Sequence, residues 1–219
     1  MFIVFEGIDG CGKSTQMRRL AERFEAVGRE VLLTREPTSA AVGALLRRAL
    51  VGEVVLADET LALLFAADRF QHVEDLILPA LQAGKAVVCD RFYFSSFAYQ
   101  GEEQKSGQVL QNSKQASGGA GLRVRQYNSA VMEVCPPDVV FFLDLPPEES
   151  MARIRRSRAG VEIFENVEKL RVIRENYLSL IEEFQPDDAC PVTKIYKINA
   201  AQSEDIIADE VWSALNEFK

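Results

Sequence analysis

The sequence predicts an α/β fold in which a central parallel β-sheet is flanked by helices. Three observations predict it. Short apolar runs alternate with longer amphipathic segments. The runs are nearly unbroken in β-branched and apolar residues, as suits strands buried on both faces of a parallel sheet. The first run leads through a glycine-rich turn straight into an amphipathic segment. Candidate strands cover residues 2–5, 30–34, 86–89, 139–143 and 194–198, and candidate helices cover 13–27, 42–50, 58–82, 148–158, 167–184 and 203–218. The alternation implies right-handed crossovers with helices on both faces. In such sheets ligands bind beyond the carboxyl ends of the strands, so chemistry is expected just after each one.

The first strand ends in Gly7-Ile8-Asp9-Gly10-Cys11-Gly12-Lys13-Ser14, matching G-x-x-x-x-G-K-[ST]. Glycines let the backbone curl until several N–H groups point at one anion, and the helix that follows adds its positive end. Lys13 supplies a point charge to the β- and γ-phosphates of a nucleotide, and the Ser14 hydroxyl can ligate Mg²⁺. Thr15 follows in the same turn. The fold expected is therefore that of the P-loop nucleoside triphosphate hydrolases, and ATP with Mg²⁺ is the expected ligand pair. Cys11 has two readings: a thiol activated by the helix N-terminus, or a small protonated filler.

The second strand is followed by Arg35 and the third by Asp90-Arg91. Both arginines fall where the cleft should be, and guanidinium groups suit bidentate phosphate recognition. Asp90 occupies the Walker-B position, able to serve Mg²⁺ or to orient an arginine. The plain alternative is a pair of solvated or mutually paired strand-end charges. In the long helix, Phe65, Arg69 and His72 share one face. Arg69 has no acidic residue three or four positions away, which suggests an external anion or polar ligand, with Phe65 stacking on a base; alternatively Phe65 is core and Arg69 reaches solvent. Ser95, Ser96, Tyr99 and Gln100 follow the Asp90-Arg91 corner with hydroxyls, an aromatic face and an amide.

Residues 101–121 are rich in Gly, Gln and Ser and read as a mobile surface loop. Arg153, Arg155, Arg156 and Arg158 crowd the end of the helix that begins near Pro147. Phosphoryl transfer needs positive charge where the γ-phosphate bond breaks, so a lid over about 153–165 with a catalytic arginine is expected. Basic residues also simply favour a helix C-terminus.

Composition bounds these readings. A length of 219 residues fits one domain, and 47% hydrophobic residues supply a full core. The net charge of −8 argues against a broad nucleic-acid surface. No window approaches the ~18 apolar residues of a membrane span. Four scattered cysteines without C-x-x-C spacing indicate neither zinc site nor disulfide framework, which suits a reducing cytoplasm. A single histidine, His72, leaves no material for a catalytic triad or a multi-histidine metal centre.

The chain resembles the thymidylate kinase family. The resemblance rests on FEGIDGCGKSTQ, TREPT, ALLFAADRFQH, DRFYFSSFAYQG and PPDVVFFLDL, in the family's order over most of the chain. It implies conversion of dTMP and ATP to dTDP and ADP with Mg²⁺ by a homodimer. It also implies that Lys13 and Ser14 serve ATP and Mg²⁺, that Asp9 sits near the sugar of dTMP, and that Arg35 and Arg91 hold the acceptor phosphate. The same resemblance implies that Phe65 stacks on thymine, that Arg69 contacts its polar edge, and that Ser95 or Ser96, Tyr99 and Gln100 line the same pocket, with Tyr99 crowding a ribose 2′-hydroxyl. The position where some members carry a P-loop arginine is Gly10 here, so the catalytic arginine is expected in the lid. Cys11, Thr38-Ser39, and a lid without an arginine before Phe164 depart from the common pattern. An alternative is a kinase of other or more (deoxy)nucleoside monophosphates, such as dUMP. Rivals of another class are a nucleotide-binding module without catalysis and a nucleotide-gated switch; intact Lys13, Ser14, Asp90 and Arg91 argue against the first, and the absence of a guanine-reading Asn-Lys-x-Asp segment against the second.

Overall fold

The computed structural model describes residues 1–100, 120–157, 166–184 and 193–217. The chain runs β1 (Phe2–Glu6), α1 (Lys13–Ala26), β2 (Val31–Arg35), α2 (Ala41–Leu50), α3 (Asp58–His72), α4 (Leu78–Gln82), β3 (Ala86–Asp90), α5 (Tyr93–Gln100), α6 (Ala120–Val134), β4 (Val139–Asp144), α7 (Pro147–Ser157), α8 (Val167–Glu183), β5 (Lys194–Asn199) and α9 (Glu204–Glu217). All strand pairs are parallel, and the five strands lie in the order β2-β3-β1-β4-β5.

That order places β1 between strands reached in opposite directions. The chain leaves β1 for β2 at one edge, returns to β3, then crosses to β4 on the other side. A crevice opens beyond the end of β1, where such a sheet binds its ligands. The three central strands are buried throughout, apart from the half-buried Asp90 at the end of β3, as their unbroken apolar sequences require. The edge strands differ from that expectation. β2 and β5 are partly exposed, and β5 carries Lys194 and Lys197 on its exposed positions, charges that protect an open edge from pairing with another chain.

Each strand extends one residue beyond its apolar run, onto Glu6, Arg35, Asp90, Asp144 and Asn199. The ladder still pairs there: Phe5 and Arg35 both lie opposite Asp90, and Asp144 lies opposite Asn199. At this rim the backbone stays regular while the residue type changes, and Arg35 and Asp90 reach the crevice.

The helix expected over 58–82 is interrupted by a π-helical turn, Val73–Ile77, between α3 and α4. Pro79 follows it. Proline lacks an N–H and crowds the carbonyl four residues earlier, and a widened turn absorbs both demands. Two helices were not expected. α5 is mostly aromatic and hydroxyl residues with little helix propensity, Ala98 and Gln100 aside; its tertiary contacts override that, since Phe94 and Phe97 pack on Phe184 with ring centroids 5.1 and 6.2 Å apart. α6 buries Val124, Asn128 and Val131 at helical spacing. Its first two residues are the last two of the expected surface loop; the other residues of that loop, 101–119, lie outside the described residues. No described helix is long and apolar enough to cross a membrane.

Candidate active site

The residues between β1 and α1 form a cradle in which Gly7, Gly10 and Gly12 all adopt positive φ. Two of these positions also have no room for a side chain. A Cβ on Gly7 would lie 2.7 Å from the Leu143 carbonyl oxygen and 2.9 Å from the Cys11 sulfur, and one on Gly10 would lie 2.9 Å from the Ser150 carbonyl oxygen. The Ser150 hydroxyl in turn donates to the Asp9 carbonyl, so α7 packs directly on the cradle. The space an arginine at position 10 would need is filled by α7.

Lys13 is buried, and its ammonium donates to the carbonyls of Gly7 (3.2 Å) and Ile8 (3.3 Å). It stands 3.8 Å from the Asp90 carboxylate. The Ser14 hydroxyl donates to the other Asp90 oxygen at 3.4 Å. One Asp90 oxygen is buried without a hydrogen-bond partner among the described residues. That oxygen is the one facing the Lys13 ammonium; a carboxylate oxygen without a hydrogen bond beside a hydroxyl fits a hard divalent cation such as Mg²⁺ that keeps most of its shell as water and phosphate. Among the described residues there is no cluster of three or more His, Cys, Asp or Glu that would make a dedicated metal cage. Cys11 is fully buried, and burial pushes its thiol above the ordinary value, which is the filler reading of the two.

Arg91 occupies the other side of the rim. It has φ 71°, a left-handed conformation that is costly for a side chain of its size. Its guanidinium donates to Asp9 (2.8 Å), Tyr99 (3.0 Å), Ser95 (3.1 Å) and Tyr177 (3.3 Å). Arg35 is exposed at the end of β2. Phe65 packs half-buried against the small cluster of Leu46, Ala49 and Leu61. Both amide atoms of Gln100 are buried without a partner among the described residues.

One cleft of about 980 Å³ collects these groups. It is lined by the cradle from Asp9 to Thr15, by Asp90, and by Arg35, Phe65, Arg69, Arg91, Ser95, Ser96, Tyr99 and Gln100. Gly7 does not line it and acts by close packing instead. Of the expected lid arginines, only Arg153 reaches the lining, and it is held by Glu149 (2.6 Å) and the Ala200 carbonyl (3.1 Å). Arg155 and Arg156 are exposed on the last turns of α7 and do not line the cleft; Arg158 lies outside the described residues.

Arg69 corrects one line of reasoning. Its lack of an acidic neighbour along the helix does not leave it without a partner. It is 1% exposed. It donates to Glu36 through Nε (2.8 Å), to Ser96 through Nη1 (3.0 Å), to Asn128 through Nη1 (2.5 Å), and to the Phe92 carbonyl through Nη2 (3.2 Å), and its Nη2 lies 2.7 Å from the same Glu36 carboxylate in an ion pair. His72 shares the network, contacting Glu36 at 3.1 Å and Thr34 at 2.7 Å, and Asp68 accepts from the Thr38 amide at 2.8 Å. One face of α3 thus fixes the segment that follows β2.

Three contributors were not legible in advance: Glu6, Tyr177 and Asn128. Glu6 carried a signal, a carboxylate closing an apolar strand. Tyr177 and Asn128 carried none, because their partners lie 171 and 59 residues away. Gln202, Ser203 and Glu204 also line the cleft on the cradle side.

A family model described as thymidylate kinase matches residues 5–210. The probable thymidylate kinase of Thermococcus kodakarensis is 41% identical over 219 residues, covering 96% of this chain and 95% of that protein. That of Pyrococcus horikoshii is 44% identical over 217 residues, covering 96% and 93%. The thymidylate kinase of Bacillus cytotoxicus is 34% identical over 218 residues, covering 96% and 94%.

Proposed function

The chain belongs to the thymidylate kinase family, phosphotransferases that phosphorylate dTMP, and we propose that its cleft does so by direct in-line transfer from ATP. The observation that carries this mechanism is that two separate sets of phosphate-holding groups face one cleft: the cradle with Lys13, and the corner with Arg91 and Arg35. A nucleotide-hydrolysing switch needs only the first.

The cradle amides and Lys13 hold the donor phosphates. Ser14 and Asp90 would hold Mg²⁺, which supplies charge neutralisation at the donor phosphates when bound. Arg91 and Arg35 hold the acceptor phosphate as nucleophile, with Asp9 beside the sugar and Tyr99 excluding a 2′-hydroxyl. Phe65 stacks on the base and Gln100 offers it an amide, over a floor made by Arg69 and Ser96. An arginine from the end of α7 and beyond, among Arg153, Arg155, Arg156 and Arg158, meets the charge on the migrating group; Arg153 already lines the cleft, whereas Arg155 and Arg156 require that end of the helix to move toward it. An acceptor phosphate is already ionised, so no general base is needed. His72 agrees with this, being buried between Glu36 and Thr34 and absent from the cleft lining.

The test is ADP release with ATP, Mg²⁺ and each of dTMP, dUMP, dCMP, dGMP and UMP. The thymine methyl is worth ~1–3 kcal/mol, so dTMP is expected to exceed dUMP in kcat/KM by about 10–200-fold, with the others slower still. Equal rates across the panel would place discrimination elsewhere than in this pocket.

A homodimer is the further expectation of family membership. Leu63, Ala67 and Phe70 form an exposed apolar stripe on one face of α3, and a second copy is the proposed occupant. Phe70→Glu is expected to shift the protein to monomer in analytical ultracentrifugation; an unchanged sedimentation coefficient would move the interface off α3.

A further inference from the structure

Glu6 has no part in the reaction as described, yet it is an enclosed carboxylate beside the cleft, 1% exposed. It closes β1 immediately before the cradle and lies under the Arg91 corner. One of its oxygens accepts from the backbone N–H of Phe92 (2.9 Å) and of Ser95 (3.2 Å), capping the start of α5. The other accepts from the Ser95 hydroxyl (2.6 Å) and the Tyr177 hydroxyl (2.8 Å). Those same two hydroxyls accept from one Arg91 nitrogen, at 3.1 and 3.3 Å.

We infer that Glu6 is a positioning residue for the acceptor phosphate, setting the orientation of two hydroxyls that hold the guanidinium of Arg91. The inference rests on the reading that Arg91 binds that phosphate. Each hydroxyl has one proton. The two hydroxyls also lie 2.9 Å from each other, but with both protons given to Glu6 neither donates to the other, and both oxygens turn lone pairs toward Arg91. Four donors converge on the carboxylate and none of its contacts is an acceptor, so the site is built for the anion. Burial raises the Glu6 carboxyl above its ordinary value, while Arg91 and the donors from Ser95, Tyr177 and the Phe92 amide oppose that rise. The arrangement also pins Arg91 in its left-handed conformation from the following side, because Phe92 and Ser95 are held through their amides.

Glutamine in place of Glu6 has the same shape and preserves an acceptor for the two amides. Its NH₂ group faces Ser95 and Tyr177, which must then accept, turning their protons toward the Arg91 N–H groups. The corner stays packed and the guanidinium loses its seat.

The experiment compares dTMP with thymidine, which lacks the phosphate. Binding is measured by calorimetry, and KM for ATP by steady-state kinetics. Glu6→Gln is expected to raise the Kd for dTMP about tenfold or more and to leave thymidine binding and the KM for ATP within about twofold. Tyr177→Phe and Ser95→Ala should each weaken dTMP less, and Tyr177→Phe should add little on top of Glu6→Gln, because the two act in one chain. If Glu6→Gln weakens dTMP and thymidine alike, or raises the KM for ATP as much, Glu6 braces the pocket in general and the inference falls. Should Glu6→Gln not fold, Tyr177→Phe and Ser95→Ala bear the same comparison, and equal loss of both ligands has the same meaning. Arg91→Ala serves as the reference. If it leaves the gap between dTMP and thymidine intact, the reading of Arg91 falls first; if it closes the gap and Glu6→Gln does not, only the positioning role is lost.

Discussion

Lys13→Met is expected to lower turnover by about 10²–10³-fold while leaving the melting temperature close to that of the native protein. The ammonium of Lys13 is held inside the cradle by the carbonyls of Gly7 and Ile8 and stands 3.8 Å from Asp90. On the proposed reading it sits where donor phosphates meet Ser14 and Asp90, and its charge cannot be replaced from solvent. Methionine retains the length and apolar body of the side chain, so the start of α1 keeps its packing. The measurement is ADP release at saturating dTMP, beside a thermal melt. Turnover within tenfold of the native rate would remove Lys13 from the transfer step.

Arg69→Met is expected to act on stability rather than on chemistry. The arginine and Glu36 are 1% and 3% exposed at the side chain, and the guanidinium makes four hydrogen bonds besides its ion pair with Glu36. Removing one partner of a buried ion pair costs about 3–5 kcal/mol, because the other charge remains in an apolar surrounding. For a domain of this size that corresponds to a fall in melting temperature of about 6–20 °C. Adding Glu36→Gln should recover part of the loss, since the stranded charge is then gone. A melting temperature unchanged by Arg69→Met, with dTMP affinity alone reduced, would make Arg69 a direct reader of the base.

Arg69 also shows where reading a sequence ends. The helix face carrying Phe65, Arg69 and His72 was legible, because periodicity is local. The partners of Arg69 were not, because Glu36, Asn128 and Ser96 come from three other elements. The cradle was legible to the residue, since its glycines answer a demand that the local backbone makes by itself. Strand cores were legible for a related reason: burial on both faces leaves an unbroken apolar run. The run stops one residue before the ladder does, and the missing residue is polar in every strand. Arg35 and Asp90 were recovered through their neighbours in recognisable motifs; Glu6, at the same level of the sheet, was passed over. α5 was hidden because aromatic and hydroxyl residues predict little about backbone, and packing on α8 and Phe184 decides its form.

Asp90 and Arg91 are consecutive in the chain, and one meets Ser14 and Lys13 while the other meets Asp9 and Tyr99. The turn at Arg91 sends the two side chains to different partners. Their α-carbons are about 3.8 Å apart, a separation set by covalent bonds and not by packing. The backbone separation is thus fixed by the chain, while the seat of the Arg91 guanidinium still depends on Ser95 and Tyr99 of α5 and on Tyr177. Phe65 on α3 is none of the groups that hold Arg91. On the proposed reading, a change at Phe65 alters what the base pocket admits without releasing the phosphate corner, so part of acceptor choice can vary apart from alignment for transfer.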